Sequence, residues 1–278
     1  MIHPHGLAPC GSHRDVSPSL RNTETMPAAT SAPAPALPLF YGTPTLLRFP
    51  EHRLLGIREG VDYGFARMAT AIPLVAAEFM EAQRSYPIVF STEEGAAPLA
   101  VTGLATGENL FVAPDGSWKA GHYIPSYLRR YPFIGMTPPG EGNNIMLGLD
   151  IAAPQVSTDA ARDRAHALFT EDGQASEAAT AAITFCEAYA LEYERTRTFS
   201  AALEDANLLV IREAIVTLPD WTEKRVQGFR LVDEEAFRKL SGAKLKTFHA
   251  NGWTDLVTLH LASQTAWRNL VNIPSSAS

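Results

Sequence analysis

Along the first half of this chain apolar residues come in short, strand-length runs; along the second half they recur at helical spacing. Residues 54–57 and 61–68 read as short strands. Residues 72–84 read as a helix with Pro73 tolerated in its first turn and Leu74, Ala77, Phe79 and Met80 along the buried side. Three further runs, at 87–90, 99–104 and 109–112, are strands. Residues 113–116, Ala-Pro-Asp-Gly, form the turn after them, and Trp118 begins the return strand. Together these predict an antiparallel meander of short strands. One helical turn is expected at 126–130, before Pro132, then an exposed loop at 137–144 and a strand at 145–151.

The pattern weakens between Pro154 and Gly173, the softest boundary in the chain. Beyond it, the Ala-rich stretch 176–197 reads as a helix with Ile183, Tyr189 or Ala190, and Tyr193 on one side. A second helix is expected over 200–209. Residues 211–218 and 224–231 form a hairpin joined across Pro219, Asp220 and Trp221. Residues 233–240 make a short helix with acids first and bases last, as the helix dipole favours. Gly252 marks a break, and a last helix over 254–269 carries Leu256, Leu259, His260, Ser263 and Trp267 on roughly one face. No repeat of 20–50 residues is found. The predicted class is α+β, with the antiparallel short-strand meander in the first half and helices plus a β-hairpin in the second.

Composition adds a boundary. Residues 1–36 are rich in Pro, Ala, Ser and Thr and cannot bury enough apolar surface to offset the entropy of ordering, so a disordered tail is expected, followed by a single domain over 37–273. Met26 is a candidate for the true start. In the tail Arg14 and Arg21 cancel Asp15 and Glu24, which leaves the whole formal charge of −7 on the body. An acidic body with no basic stripe argues against nucleic acid or an anionic membrane as partner. Cys10 and Cys186 stand too far apart in context for a structural disulfide, and reduced thiols fit a cytoplasmic setting. No run reaches the roughly 18 apolar residues of a membrane span. The N-terminus lacks the apolar core of a secretory signal, so the expected location is the cytoplasm.

One stretch is unlike the rest. It contains Tyr86-Pro-Ile-Val-Phe90, Val101-Thr-Gly-Leu104, Glu108-Asn-Leu-Phe-Val112, Gly116-Ser-Trp118 and Tyr123-Ile-Pro-Ser-Tyr-Leu-Arg-Arg-Tyr-Pro-Phe133. With Ile72-Pro-Leu74 and Glu78-Phe79 upstream, and Ala201-Ala-Leu203, Gly228 and His260-Leu-Ala-Ser263 downstream, this ordered series resembles the SapC family of bacterial proteins. The resemblance spans nearly everything from Pro38 to Leu270. It implies a role in producing or exporting surface-layer protein, with an envelope or surface-layer protein, or its export machinery, as partner. It brings no catalytic residues and no cofactor, and the absence of a spanning segment separates the chain from a transporter permease.

The candidate chemistry centres on Arg129 and Arg130. Two guanidiniums beside Tyr127 and Tyr131 can clamp a carboxylate or phosphate while the rings stack on a ligand. The commoner use is structural, with one arginine paired to a buried acid such as Glu78 and the other facing solvent. Trp118 and Tyr123 either line the same pocket or belong to the core. His260 and Ser263 share a helix face, yet no nucleophile elbow or oxyanion hole accompanies them, and a satisfied core histidine is the simpler reading. His13 and Asp15 have metal-like spacing but fall in the tail, and His52, His122, His166 and His249 are scattered, so no metal site is assigned. No phosphate-binding glycine loop occurs. Cys186 reads as packing, and the charges over 187–205 as a solvated helix face. The leading expectation is a non-catalytic accessory or binding protein. The alternatives are a metal- or cofactor-assisted enzyme with its site at Trp118, Tyr123, Arg129, Arg130 and His260, and a subunit that works only within a complex.

Overall fold

A computed structural model describes residues 37–60, 62–137 and 145–273 of the chain. The expected disordered tail with Met26, Cys10, His13 and Asp15, as well as Val61 and the loop from Pro138 to Asn144, lie outside the described residues. The mixture of helices and antiparallel sheets is the α+β class that the periodicity predicts.

Among the described residues the strands form three antiparallel sheets. The largest runs Leu209–Thr217, Glu223–Val232, Ile88–Ser91, Pro98–Val101, Ala71–Pro73. A second pairs Pro44–Leu46 and Phe133–Met136 on either side of Met146–Asp150. The third sets Gly56–Ile57 between Val156–Ser157 and His166–Ala167, so the weakly patterned region after Pro154 is tied by ladder bonds to the start of the fold.

The hairpin forms where two strand-length runs flank a Pro-Asp turn. Leu218 N–H donates to Thr222 O at 2.8 Å, and the Asp220 carboxylate accepts from both the amide and the hydroxyl of Thr222. Its inner strand then pairs Phe229 with Ser91 and Arg230 with Phe90. The meander expected of the first half is therefore completed by strands from the second.

Several predicted elements differ. Residues 64–66 form a single tight helical turn, not a strand. The helix expected over 72–84 is a strand at Ala71–Pro73, a tight turn at Ala76–Glu78, and one α-helical turn at Phe79–Ala82. Leu74, Val75, Ala76, Glu78 and Phe79 are buried there, while Ala77 and Met80 face outward. Residues 109–112 make no strand beyond a single bridge between Val112 and Trp118. The Asn109 side chain takes over instead, donating to Ala66 O and accepting from Phe111 N–H, both at 3.0 Å. Finally, the two helices expected at 176–197 and 200–209 are one continuous helix, Glu177–Asp205. No Gly or Pro interrupts it, and its hydroxyls are satisfied in place: Thr196 donates to Glu192 O at 2.6 Å, and Ser200 to Ala96 O at 3.0 Å.

The long helix opens at Ser176, whose hydroxyl accepts from Ala179 N–H. Its buried line is Ala179, Ala182, Cys186, Tyr189, Thr196, Phe199, Ser200 and Leu203, so Cys186 takes the inward place expected of Ile183. Ala179 packs in a small core with Leu47, Leu149, Val156 and Leu168; Tyr189, Phe199 and Leu203 belong to the main one. After it come the helix Glu234–Arg238, a helix at Gly242–Ala250 that periodicity missed, and Trp253–Ser263. Gly252, with φ of 72°, breaks the chain between the last two, where a left-handed residue is needed. Residues 264–266 tighten the path before Trp267–Val271, so the last helix expected over 254–269 is broken in two.

Phe199 has no exposed surface and packs against Phe79, Phe90 and Trp253. Phe199→Ala is expected to lower stability by about 3–5 kcal/mol through the cavity it leaves, read as a fall in the urea midpoint with the slope preserved.

Candidate functional site

The Glu78 side chain, 94% buried, lies at the centre of the candidate region. One oxygen accepts from Val75 N–H at 3.0 Å and closes its own turn. The other accepts from the Tyr123 hydroxyl at 2.8 Å and from Ser126 N–H at 2.6 Å. The carboxylate thus sits at the start of the short helix Ser126–Arg130, where free amides and the helix dipole favour negative charge. Tyr123 is held further by the Ser85 hydroxyl, which accepts its N–H, and by the Tyr86 hydroxyl, which donates to its carbonyl. Burial, and then the charge of Glu78, push the Tyr123 hydroxyl up to about 12, so it stays protonated and remains a donor.

Arg129 completes this group. Its Nε donates to Ile124 O at 3.0 Å and its Nη2 to the Tyr123 hydroxyl at 3.2 Å, and its guanidinium lies 5.4 Å from the centre of the Phe185 ring. It reaches Glu78 through Tyr123 and not by direct ion pairing. A cleft of about 270 Å³ opens here, lined by Glu78, Tyr123, Ser126, Arg129, Phe185 and Tyr189 among others. The Ser126 hydroxyl is buried and makes no hydrogen bond among the described residues.

Arg130 occupies different surroundings. Its guanidinium stands 4.3 Å from the Tyr189 ring centre, 5.0 Å from Tyr127 and 5.7 Å from Tyr41. Among the described residues its Nε is buried without a partner and it forms no ion pair with a carboxylate. Tyr127 donates to Leu39 O and Tyr41 to Phe133 O, so the hydroxyls anchor the cage while the ring faces hold the cation. Cys186 is a free, buried thiol whose pKa is pushed up to about 11 by burial, with Arg130 opposing the shift.

The remaining candidates lie apart. Tyr131 donates to Asp150 at 3.2 Å and packs edge-on against Tyr41. Trp118 is a core residue, stacked on Phe111 at 5.8 Å and crossed by Tyr63; its indole N–H sits beside the Tyr86 hydroxyl without a bond of ordinary geometry. His260 is fully buried under the inner hairpin strand. Its Nε2 accepts from Val232 N–H at 3.1 Å, and Nδ1 makes no bond of normal geometry, though it lies near the Ile88 carbonyl. Ser263 does not meet the imidazole: its hydroxyl donates to His260 O and accepts from Ile88 N–H. The structure therefore joins Tyr123 with Arg129, and Tyr127 with Arg130, and gives His260 neighbours of its own. Sequence alone named Glu78 only as a buried ion-pair partner for an arginine, and did not place Ser126, Tyr41, Phe185 or Tyr189 at a site. The one available signal was the Phe185–Tyr189 spacing, a single helical turn.

Among the described residues no group of three His, Cys, Asp or Glu converges as a metal site, and no helix is long and apolar enough to cross a membrane. A family model for SapC matches residues 47–270, most of the chain. The chain belongs to the SapC family. The span matched to SapC contains Glu78, the cleft, His260 and, of the tyrosine cage, Tyr127 and Tyr189 but not Tyr41. Neither the curated proteins nor the solved structures give a match to this SapC chain.

Two outcomes follow for SapC stability. Glu78→Ala leaves the donors of Val75, Tyr123 and Ser126 without their acceptor and is expected to cost about 3 kcal/mol or more, measured by urea unfolding. Burial holds the His260 pKa at about 4, well below its ordinary 6.5. The unfolded chain therefore binds a proton that the native imidazole refuses, and this contribution to stability, intact above about pH 6.5, is lost on acidification toward pH 4. The loss is on the order of 3 kcal/mol. His260→Gln is expected to flatten that slope in unfolding curves taken between pH 7 and 5.

Proposed function

We propose that this SapC protein is a binding protein, acting in the cytoplasm on an envelope or surface-layer polypeptide before export, and that the Arg129 cleft receives an anionic group of that partner. The observation that carries the reading is the state of Arg129. It is exposed at the mouth of the cleft and oriented by Tyr123, Ile124 and Phe185, and it has no carboxylate partner among the described residues. An arginine fixed in advance loses little side-chain freedom on binding, so a ligand carboxylate gains most of the charge-assisted bond.

The cleft walls support the same reading. Phe185 and Tyr189 supply apolar contact. Glu78, by contrast, already holds three donors and acts as the brace that keeps Tyr123 and Ser126 in place. The surface-layer assignment is supported by the family that the chain belongs to.

The test places a photoreactive benzoylphenylalanine at Phe185 in living cells. An ultraviolet-dependent adduct with an envelope or surface-layer protein is expected, and its yield should fall at least about tenfold when Arg129→Ala is added, with melting temperature little changed. Adducts that survive Arg129→Ala undiminished would remove the cleft from the binding reaction.

A further inference from the structure

The strand Leu209–Thr217 is the outer edge of the five-stranded sheet, with the hairpin partner on one side and no strand on the other among the described residues. Such an edge is normally protected by lysine, proline or a bulge. None is present on this strand: it contains neither Lys nor Pro, and the register shift opposite Arg212 and Ala214 falls on the inner strand, around Gly228. Two of its outward side chains, on either side of Glu213, are apolar where solvent would favour charge. Ile211 is 72% exposed and Ile215 51%.

The order of residues in this strand is nearly a mirror image about its centre. Val210-Ile211 precedes Arg212-Glu213-Ala214, and Ile215-Val216 follows. In an antiparallel pair related by a two-fold axis, residues at equal distance from the centre stand opposite each other and on the same face. A mirrored strand is therefore complementary to itself.

We infer that Leu209–Thr217 pairs antiparallel with the same strand of a second copy of this chain, with the two-fold axis at Glu213, joining the two sheets into one. On the outer face Ile211 then meets the partner's Ile215, and on the inner face Val210 meets the partner's Val216. The two Glu213 side chains come together at the axis. Each is already neutralised within its own hairpin, accepting from Arg225 at 2.8 and 2.9 Å and from Gln227 at 2.9 Å, so the approach does not bring two bare charges together.

The same hairpin carries Trp221 at its turn. This residue ends the hairpin turn in the left-handed region, with φ of 63°, a position where glycine is the usual choice, and it is 88% exposed. Folding of the single chain gains little from it.

Light scattering on the full chain is expected to give twice the 30.2 kDa of one copy. Ile211→Lys combined with Ile215→Lys, both at exposed positions, should weaken dimerisation roughly a hundredfold while leaving the thermal midpoint of the monomer nearly unchanged. The register is read separately. Glu213→Cys, on the axis, should form an intermolecular disulfide on mild oxidation, whereas Thr217→Cys, away from the axis, and the unaltered chain with its own cysteines should not. A single-copy mass in concentrated solution would overturn the inference and leave the edge to a strand from some other polypeptide. A dimer indifferent to the two lysines, or equal crosslinking at Thr217, would overturn it as well.

Discussion

The fold around the cleft depends on one buried carboxylate and the three donors it gathers. Glu78 collects an amide from its own turn, the first amide of a helix far along the chain, and a phenol between them. A charge taken out of water is tolerated only when its bonds are made, and these bonds are made by groups that would otherwise be unsatisfied themselves. Without them the short helix Ser126–Arg130, too brief to be stable alone, would have nothing to fix its start. The direction in which Arg129 and Arg130 leave that helix is in this sense set by Glu78.

The two neighbouring arginines show how one local motif serves two purposes. Arg130 is enclosed by tyrosine rings, which stabilise a cation through their faces where a carboxylate would carry its own desolvation cost. Arg129 is stacked and hydrogen-bonded yet open to the cleft. The sequence reading offered a clamp made by both, or an ion pair for one and solvent for the other. The structure gives neither arrangement: one guanidinium braces the interior and the other is presented at the surface.

Local chemistry made some elements readable. The 209–232 hairpin follows from two strand-length runs joined by a Pro-Asp turn, and the Glu234–Arg238 helix from an aspartate cap with acids first and bases last. Elements settled by distant partners were not readable. Residues 109–112 look like a strand because they are apolar, yet a single asparagine binds the backbone that a ladder would have bound. The 72–84 segment has helical spacing, but Ile72 is taken into the sheet opposite Ala100 before a helix can start. The site was legible only in part: Tyr123 and the arginines stand out in sequence, whereas the Glu78–Ser126 contact and the approach of Phe185 and Tyr189 arise from tertiary packing alone.

The Glu177–Asp205 helix adds Ala179 to the smaller apolar core and Phe199 and Leu203 to the larger. A single helix thus contributes to both interiors, and Phe185, at the wall of the cleft, stands on the stretch between Ala179 and Tyr189.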